Sequence, residues 1–233
     1  MSVALTLPSH PEPIPAATQL AALPFLAAVD GYLRREAEPD SLRLTLHRVM
    51  SRNGDGYLQQ VTAYVGTLPY RPASAGRVFP VTQGAMGRAY KTTQVVRTRR
   101  YDDDVSLMTD LKNDMATTGN PRDIAEVATS YLAIPFLFRD ADVVAILYAE
   151  AKQRNLFADD QLVRDVMALC DGFCRALDEL LASPLSGIRN YRLEQGQPVT
   201  DQETVFPNLQ EVIDLRPVPH FQKLRSFHFE VTG

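Results

Sequence analysis

The chain has 233 residues, 45% hydrophobic and 22% charged, a balance that fits one large globular domain or one domain with appendages and excludes disordered, collagenous and fibrous chains. Lysine and arginine number 24 against 28 aspartates and glutamates, so a net charge of -4 removes the global electrostatic drive toward nucleic acid. No apolar run approaches the roughly 20 residues that cross a bilayer, and Met1 to Leu7 lack the basic opening of a secretory leader, so a cytoplasmic protein without membrane partners is expected.

In chain order, residues 1–23 carry Pro8, Pro11, Pro13 and Pro15 with no sustained period and read as a Pro-rich extended arm. Pro24 suits the first turn of a helix, and Phe25, Leu26, Val29, Tyr32 and Leu33 follow at helical spacing until Pro39. Leu42, Leu44 and Leu46 alternate with Arg43, Thr45 and His47, which predicts a strand; Asn53-Gly54-Asp55-Gly56 supplies a hairpin turn, and Tyr57 to Val65 returns as its partner. A short strand over 78–81, a helix over 84–91, a strand over 94–98 and a helix around 105–115 follow. Tyr131 to Phe138 and Val143 to Ala149 are nearly all apolar and predict a central hairpin buried on both faces. Residues 159–182 form the longest helix, with one seam through Val166, Leu169, Phe173, Ala176 and Leu180 and another through Val163, Met167, Cys170, Cys174, Leu177 and Leu181. After Pro184 the chain turns irregular, with short β-like runs at 211–215 and 225–231. Three parts are thus expected: an arm over 1–23, a domain over 24–183, and a C-terminal extension over 184–233 that docks on the domain or binds a partner.

The order of these elements, with Gly84-Ala85-Met86-Gly87-Arg88-Ala89-Tyr90 running into Gln94-Val95-Val96, then Ser130-Tyr131-Leu132-Ala133-Ile134-Pro135, Val143-Val144-Ala145-Ile146-Leu147-Tyr148, and Phe157 and Asp159 before the long helix, resembles a GAF domain over residues 24–182. The resemblance implies an α+β fold, related to profilin and PAS folds, with a central antiparallel sheet of six strands flanked by helices. It also implies a small-molecule pocket on one face and terminal helices that dimerise, here 24–37 and 159–182. The motif of cyclic-GMP-binding members is not reproduced, since Glu150-Ala151-Lys152 and Phe157-Ala158-Asp159-Asp160 stand in its place. Bilin-binding and sulfoxide-reducing members use pocket cysteines, whereas Cys170 and Cys174 lie on the last helix, so that redox chemistry is expected to be absent.

Arg97, Arg99 and Arg100, followed by Tyr101, Asp102, Asp103 and Asp104, form the sharpest local feature: guanidinium groups suit phosphates and carboxylates, and aspartates suit amines or metal ions. The alternative is a solvated run in which arginines pair with aspartates. Thr118, in Thr117-Thr118-Gly119-Asn120, lies in the loop expected to cover the pocket. Tyr131 and Tyr148 on the central strands and Glu150 just beyond them complete the candidate ligand-binding set. Gly84-x-x-Gly87 lacks the rest of a phosphate-binding loop and reads as a helix start needing small residues. The four histidines are scattered, and no nucleophile motif stands beside them.

The chain is therefore expected to be no enzyme, with no catalytic residue, cofactor or metal, and to act as a regulatory protein that binds a small polar metabolite or nucleotide and signals through dimer helices or tails. The alternative is a ligand-free adaptor that binds a protein through 184–233. An enzyme would need Asp102, Asp103, Asp104 and Asp110 to gather around a metal.

Overall fold

The computed structural model describes residues 14, 16–39, 41–52, 55–66, 75–82, 84–118, 128–138, 142–182, 191–192, 209–212, 220–221 and 228–229. Helix α1 (Ala16–Ala37) is followed by β1 (Arg43–Arg52), β2 (Asp55–Gln60), β3 (Val65–Gly66), β4 (Val78–Pro80), helix α2 (Gly84–Thr92), β5 (Val96–Thr98) and helix α3 (Asp104–Thr118). Then come β6 (Ser130–Phe138), β7 (Asp142–Ala151), a 3-10 turn (Leu156–Ala158), helix α4 (Asp160–Ala182), and the short strands β8 (Tyr191–Arg192), β9 (Leu209–Glu211), β10 (His220–Phe221) and β11 (His228–Phe229).

The expected hairpin forms, with Arg52 opposite Asp55 across the predicted turn, and so does the central hairpin, with Phe138 opposite Asp142. The sheet order is β4-β2-β1-β7-β6-β5-β9, with β3 beside β1 and β10 beside β6. The sheet is therefore larger than the expected six strands. Neighbours along that order are all antiparallel, and β10 runs parallel to β6. The surplus strands, β3, β9 and β10, are two or three residues long, too short to leave a period in the sequence.

The described parts of the C-terminal extension are partly built into this sheet. Leu209, Gln210 and Glu211 pair with Thr98, Arg97 and Val96, the Val212 amide donates to the Val95 carbonyl at 3.0 Å, and Leu209 and Val212 are buried. Arg88 of α2 reaches Glu211 at 3.2 Å. The pair β8–β11 forms a separate two-stranded sheet.

A helix opening at Pro24 is corrected: α1 starts at Ala16, and Pro24 lies inside it. An internal proline leaves the carbonyl four residues back without its donor. Both Pro24 and that residue, Leu20, are exposed, so the freed carbonyl lies on the solvent side, while Ala22, Phe25, Leu26, Val29 and Leu33 stay buried.

Alternation along the strands gives the sheet two unlike faces. One carries Leu44, Leu46, Leu132, Ile134, Phe136, Leu147 and Ala149 and is covered by α1 and α4. There Phe25 stacks on Phe173 with ring centroids 4.3 Å apart and meets Phe136 edge-on at 6.1 Å, and the Tyr32 hydroxyl donates to Asp165 at 2.6 Å. Both seams of α4 are occupied within the chain: Val163, Val166, Met167, Cys170 and Cys174 are buried in this core, and Leu169, Phe173 and Leu177 pack against it. The other face carries Val49, Leu58, Val96, Ala133, Leu137 and Ile146 under Ala85 and Ala89 of α2. Helix α2 lies close because Gly87 has no side chain: a Cβ there would meet the Thr82 carbonyl carbon at 2.7 Å.

Candidate functional site

On the α2 side of the sheet, β1 places Arg43, Thr45 and His47 on one face, and register sets Glu150 opposite Arg43, Tyr148 opposite Thr45, and Tyr131 opposite Glu150. These side chains lie beyond the apolar patch covered by α2. Helix α3 closes the β6 end, where Leu107 and Leu111 pack with Tyr101, and Met108 and Tyr131 join them.

The polar groups form a chain. Arg43 Nε donates to Glu150 Oε1, and the Tyr148 hydroxyl donates to Glu150 Oε2 at 2.5 Å. Glu150 is buried, and the Arg43 guanidinium also lies 4.7 Å from the centroid of the Tyr64 ring, a cation–π contact. Burial, followed by the charge of Glu150, holds the Tyr148 phenol well above its ordinary range, so it remains a hydrogen-bond donor at neutral pH. Tyr131 lies 6.5 Å from Tyr148, ring to ring, and its hydroxyl donates to the Ala128 carbonyl at 2.6 Å. Thr45 Oγ1 donates to the Thr62 carbonyl at 3.1 Å, and Gln60 Nε2 donates to the same oxygen at 2.7 Å.

His47 stands apart from this network. It is fully buried, and neither ring nitrogen has a hydrogen-bond partner. Phe79 and Tyr148 meet its ring edge-on, with centroids at 5.3 and 6.1 Å. Burial, helped by the positive charge of Arg77, pushes its pKa down to about 3, so the imidazole is neutral at physiological pH. An unsatisfied buried polar group costs about 1–3 kcal/mol.

The nine candidate residues do not converge. Tyr131, Tyr148 and Glu150 come together on the α2 side, joined by Arg43, Tyr64 and His47, none of which the sequence marked as a ligand residue. Arg97 lies on the opposite face, where it donates to the Phe157 carbonyl at 3.1 Å and pairs with Asp160 at 2.6 Å, tying β5 to the start of α4. Arg99 pairs with Asp110 at 2.5 Å, the Tyr101 hydroxyl donates to the same carboxylate at 2.8 Å, and the Arg99 guanidinium lies over the Tyr101 ring at 4.6 Å. Burial, then the neighbouring charged groups, raises the Tyr101 pKa to about 12. Asp103 accepts from the Ser106 amide at 2.8 Å and so caps the start of α3. Asp104 pairs with Arg154 at 2.5 Å, and Asp102 is exposed. Thr118 ends α3, and its side chain falls outside the described residues. The charged run is thus drawn into caps and ion pairs, the alternative weighed for it above.

No group of three or more potential metal ligands occurs among the described residues, so the acids at 102–104 and 110 do not gather around a common point. Cys170 and Cys174 are free and buried on the α4 side, away from the tyrosines, and burial raises both thiols above their ordinary range. No helix among the described residues is long and apolar enough to cross a membrane.

No family model and no curated protein matches the chain. Among solved structures, it is similar to a type II free methionine-R-sulfoxide reductase from Thermoplasma acidophilum at 13% identity and a TM-score of 0.45, over 70% of this chain and 94% of that one. It is also similar to an IcIR transcriptional regulator from Alicyclobacillus acidocaldarius at 15% identity and a TM-score of 0.36, over 67% of this chain and 64% of that one. The first of these carries an enzyme's name, which overturns the expectation that the chain is no enzyme: a resemblance of fold that reaches both a reductase and a regulator does not exclude catalysis.

Proposed function

We propose that the chain is a regulatory module of GAF type whose α2-side face binds a small polar metabolite or nucleotide, and that α1, α4 and the C-terminal strands carry the bound state to a second copy or another partner. The observation that carries this reading is the Arg43–Glu150–Tyr148 chain. An ion pair of this kind adds little to stability over apolar packing of the same volume, yet here it occupies the interior of a face that tyrosines surround. The strand β5 supports the link to the helices: Thr98 accepts from the Tyr131 amide at 2.7 Å on the site side, while Arg97 holds the start of α4 on the other. The same strand pairs with β9, so the tail touches the element that joins both faces.

Native mass spectrometry of the purified full chain, set against its denatured mass, tests the reading. Retained small-molecule mass that Glu150→Gln removes is the expected result. A ligand-free species that no metabolite or nucleotide stabilises against heat refutes it, since a ligand selective for the folded state must raise its stability.

A further inference from the structure

His47 is a buried polar group that the fold does not use. Buried imidazoles are nearly always hydrogen-bonded, so a fully buried ring with both nitrogens unspent points to a group supplied from outside the chain. Arg43 precedes it by four residues on the same strand and the same face, about 13 Å away along the backbone, with Thr45 between them. Glu150 grips Arg43 through Nε alone; the terminal nitrogens have no protein acceptor among the described residues, and the side chain is one-third exposed. Glu150 is meanwhile engaged at both oxygens, by Arg43 and by Tyr148, so its charge is already answered. What the face still offers is therefore a positively charged fork at one end and a neutral donor–acceptor ring at the other, with tyrosine rings between.

We propose that this face binds an organic carboxylate with an uncharged, planar hydrogen-bonding end: the carboxylate takes the terminal N–H groups of Arg43, and an amide- or lactam-like edge pairs with His47. A carboxylate matches the planar guanidinium fork, and fixing Nε on Glu150 orients that fork. A neutral end suits His47 because the imidazole carries no charge at physiological pH. A cationic ligand would have to displace Arg43 from both Glu150 and the Tyr64 ring. The assignment rests on the reading that this face binds a small molecule.

Calorimetry and thermal melting of the full chain test it with orotate and nicotinate as carboxylates, uracil and nicotinamide as their uncharged counterparts, and agmatine as a cation. The expected result is that at least one carboxylate binds and raises Tm, about tenfold or more tighter than its uncharged counterpart. Arg43→Lys, which keeps the charge and loses the fork, should weaken that carboxylate about tenfold. His47→Phe should weaken it similarly while leaving the Tm of the free protein unchanged or raised, a combination that a packing role would not produce. Should His47→Phe fail to fold, Arg43→Lys and the paired probes still decide the matter. Binding of uracil, nicotinamide or agmatine without binding of either carboxylate overturns the carboxylate assignment and leaves the small-molecule reading standing. Binding of none of the five overturns the assignment as well, and the native mass measurement then judges the wider reading separately.

Discussion

The two faces of the sheet are cut from the same strands and put to opposite uses. The side under α1 and α4 is apolar throughout its centre, with Phe25, Phe136 and Phe173 in mutual contact and two cysteines buried as small hydrophobes. The side under α2 and α3 places a guanidinium, a carboxylate, an imidazole and three phenols within a few strand positions of one another. Alternation lets this happen without compromise, since Leu44 and Leu46 serve one side while Arg43, Thr45 and His47 serve the other. The comparison teaches that stability and recognition are separable here, residue by residue, along a single strand.

The sharpest way to break that separation is to damage the apolar side. Phe136→Ala removes a fully buried ring that touches two others and should cost about 3–5 kcal/mol, read by denaturant unfolding. Ligand binding by the fraction that remains folded should persist; loss of binding in a folded variant would show the faces to be coupled. The next effect comes from the polar side and depends on pH. His47 holds a folded pKa near 3 against about 6.5 unfolded, so below about pH 6.5 the unfolded chain takes up a proton that the folded chain refuses. Stability should therefore fall as pH drops from about 6.5 toward 3, by up to about 1.4 kcal/mol per unit from this group, and His47→Phe should remove that part of the slope. An unchanged slope would place the acid sensitivity elsewhere.

Smaller effects sharpen the contrast. Arg97→Ala should cost about 1–2 kcal/mol, because a buried guanidinium loses a carbonyl partner and an ion pair whose acid, Asp160, is largely exposed. If Arg97 serves only the α4 side, ligand affinity should change little. Tyr32→Phe removes the hydrogen bond to Asp165 between α1 and α4 and should cost about 0.5–1 kcal/mol in thermal melts, with no effect at the tyrosine-lined face.

Much of the fold was legible in the sequence because its signals are local. The turn at 53–56, the apolar runs at 131–138 and 143–149, and the wide apolar arc of 159–182 each correspond to an element in place. The start of α1 was not, since a proline is a strong local stop signal and only the three-dimensional setting shows Pro24 turned to solvent. Nor were β3, β9 and β10, which exist only through their partners.

The site was legible in part for a related reason. Tyr131, Tyr148 and Glu150 sit on strands whose faces the alternation fixes. The run from Arg97 to Asp104 drew attention by its density of charge, but density in sequence is not convergence in space: Arg97 and Thr98 point to opposite sides, and the acids are used as caps and ion pairs. Arg43 and His47 were visible as the polar half of an alternating strand. What no spacing could show is that one would be clasped by a carboxylate 107 positions away and the other left without any partner.

The pairing of β9 with β5 also bears on how the chain is made. Thr98 and Leu209 are separated by about 110 residues, which a ribosome takes on the order of 10 s to add. Throughout that interval β5 presents an unpaired edge, with the N–H and C=O groups that invite pairing with another chain. The nascent protein thus passes through a period in which its central sheet can fold while one margin stays open. Truncation anywhere before Leu209 would make that period permanent.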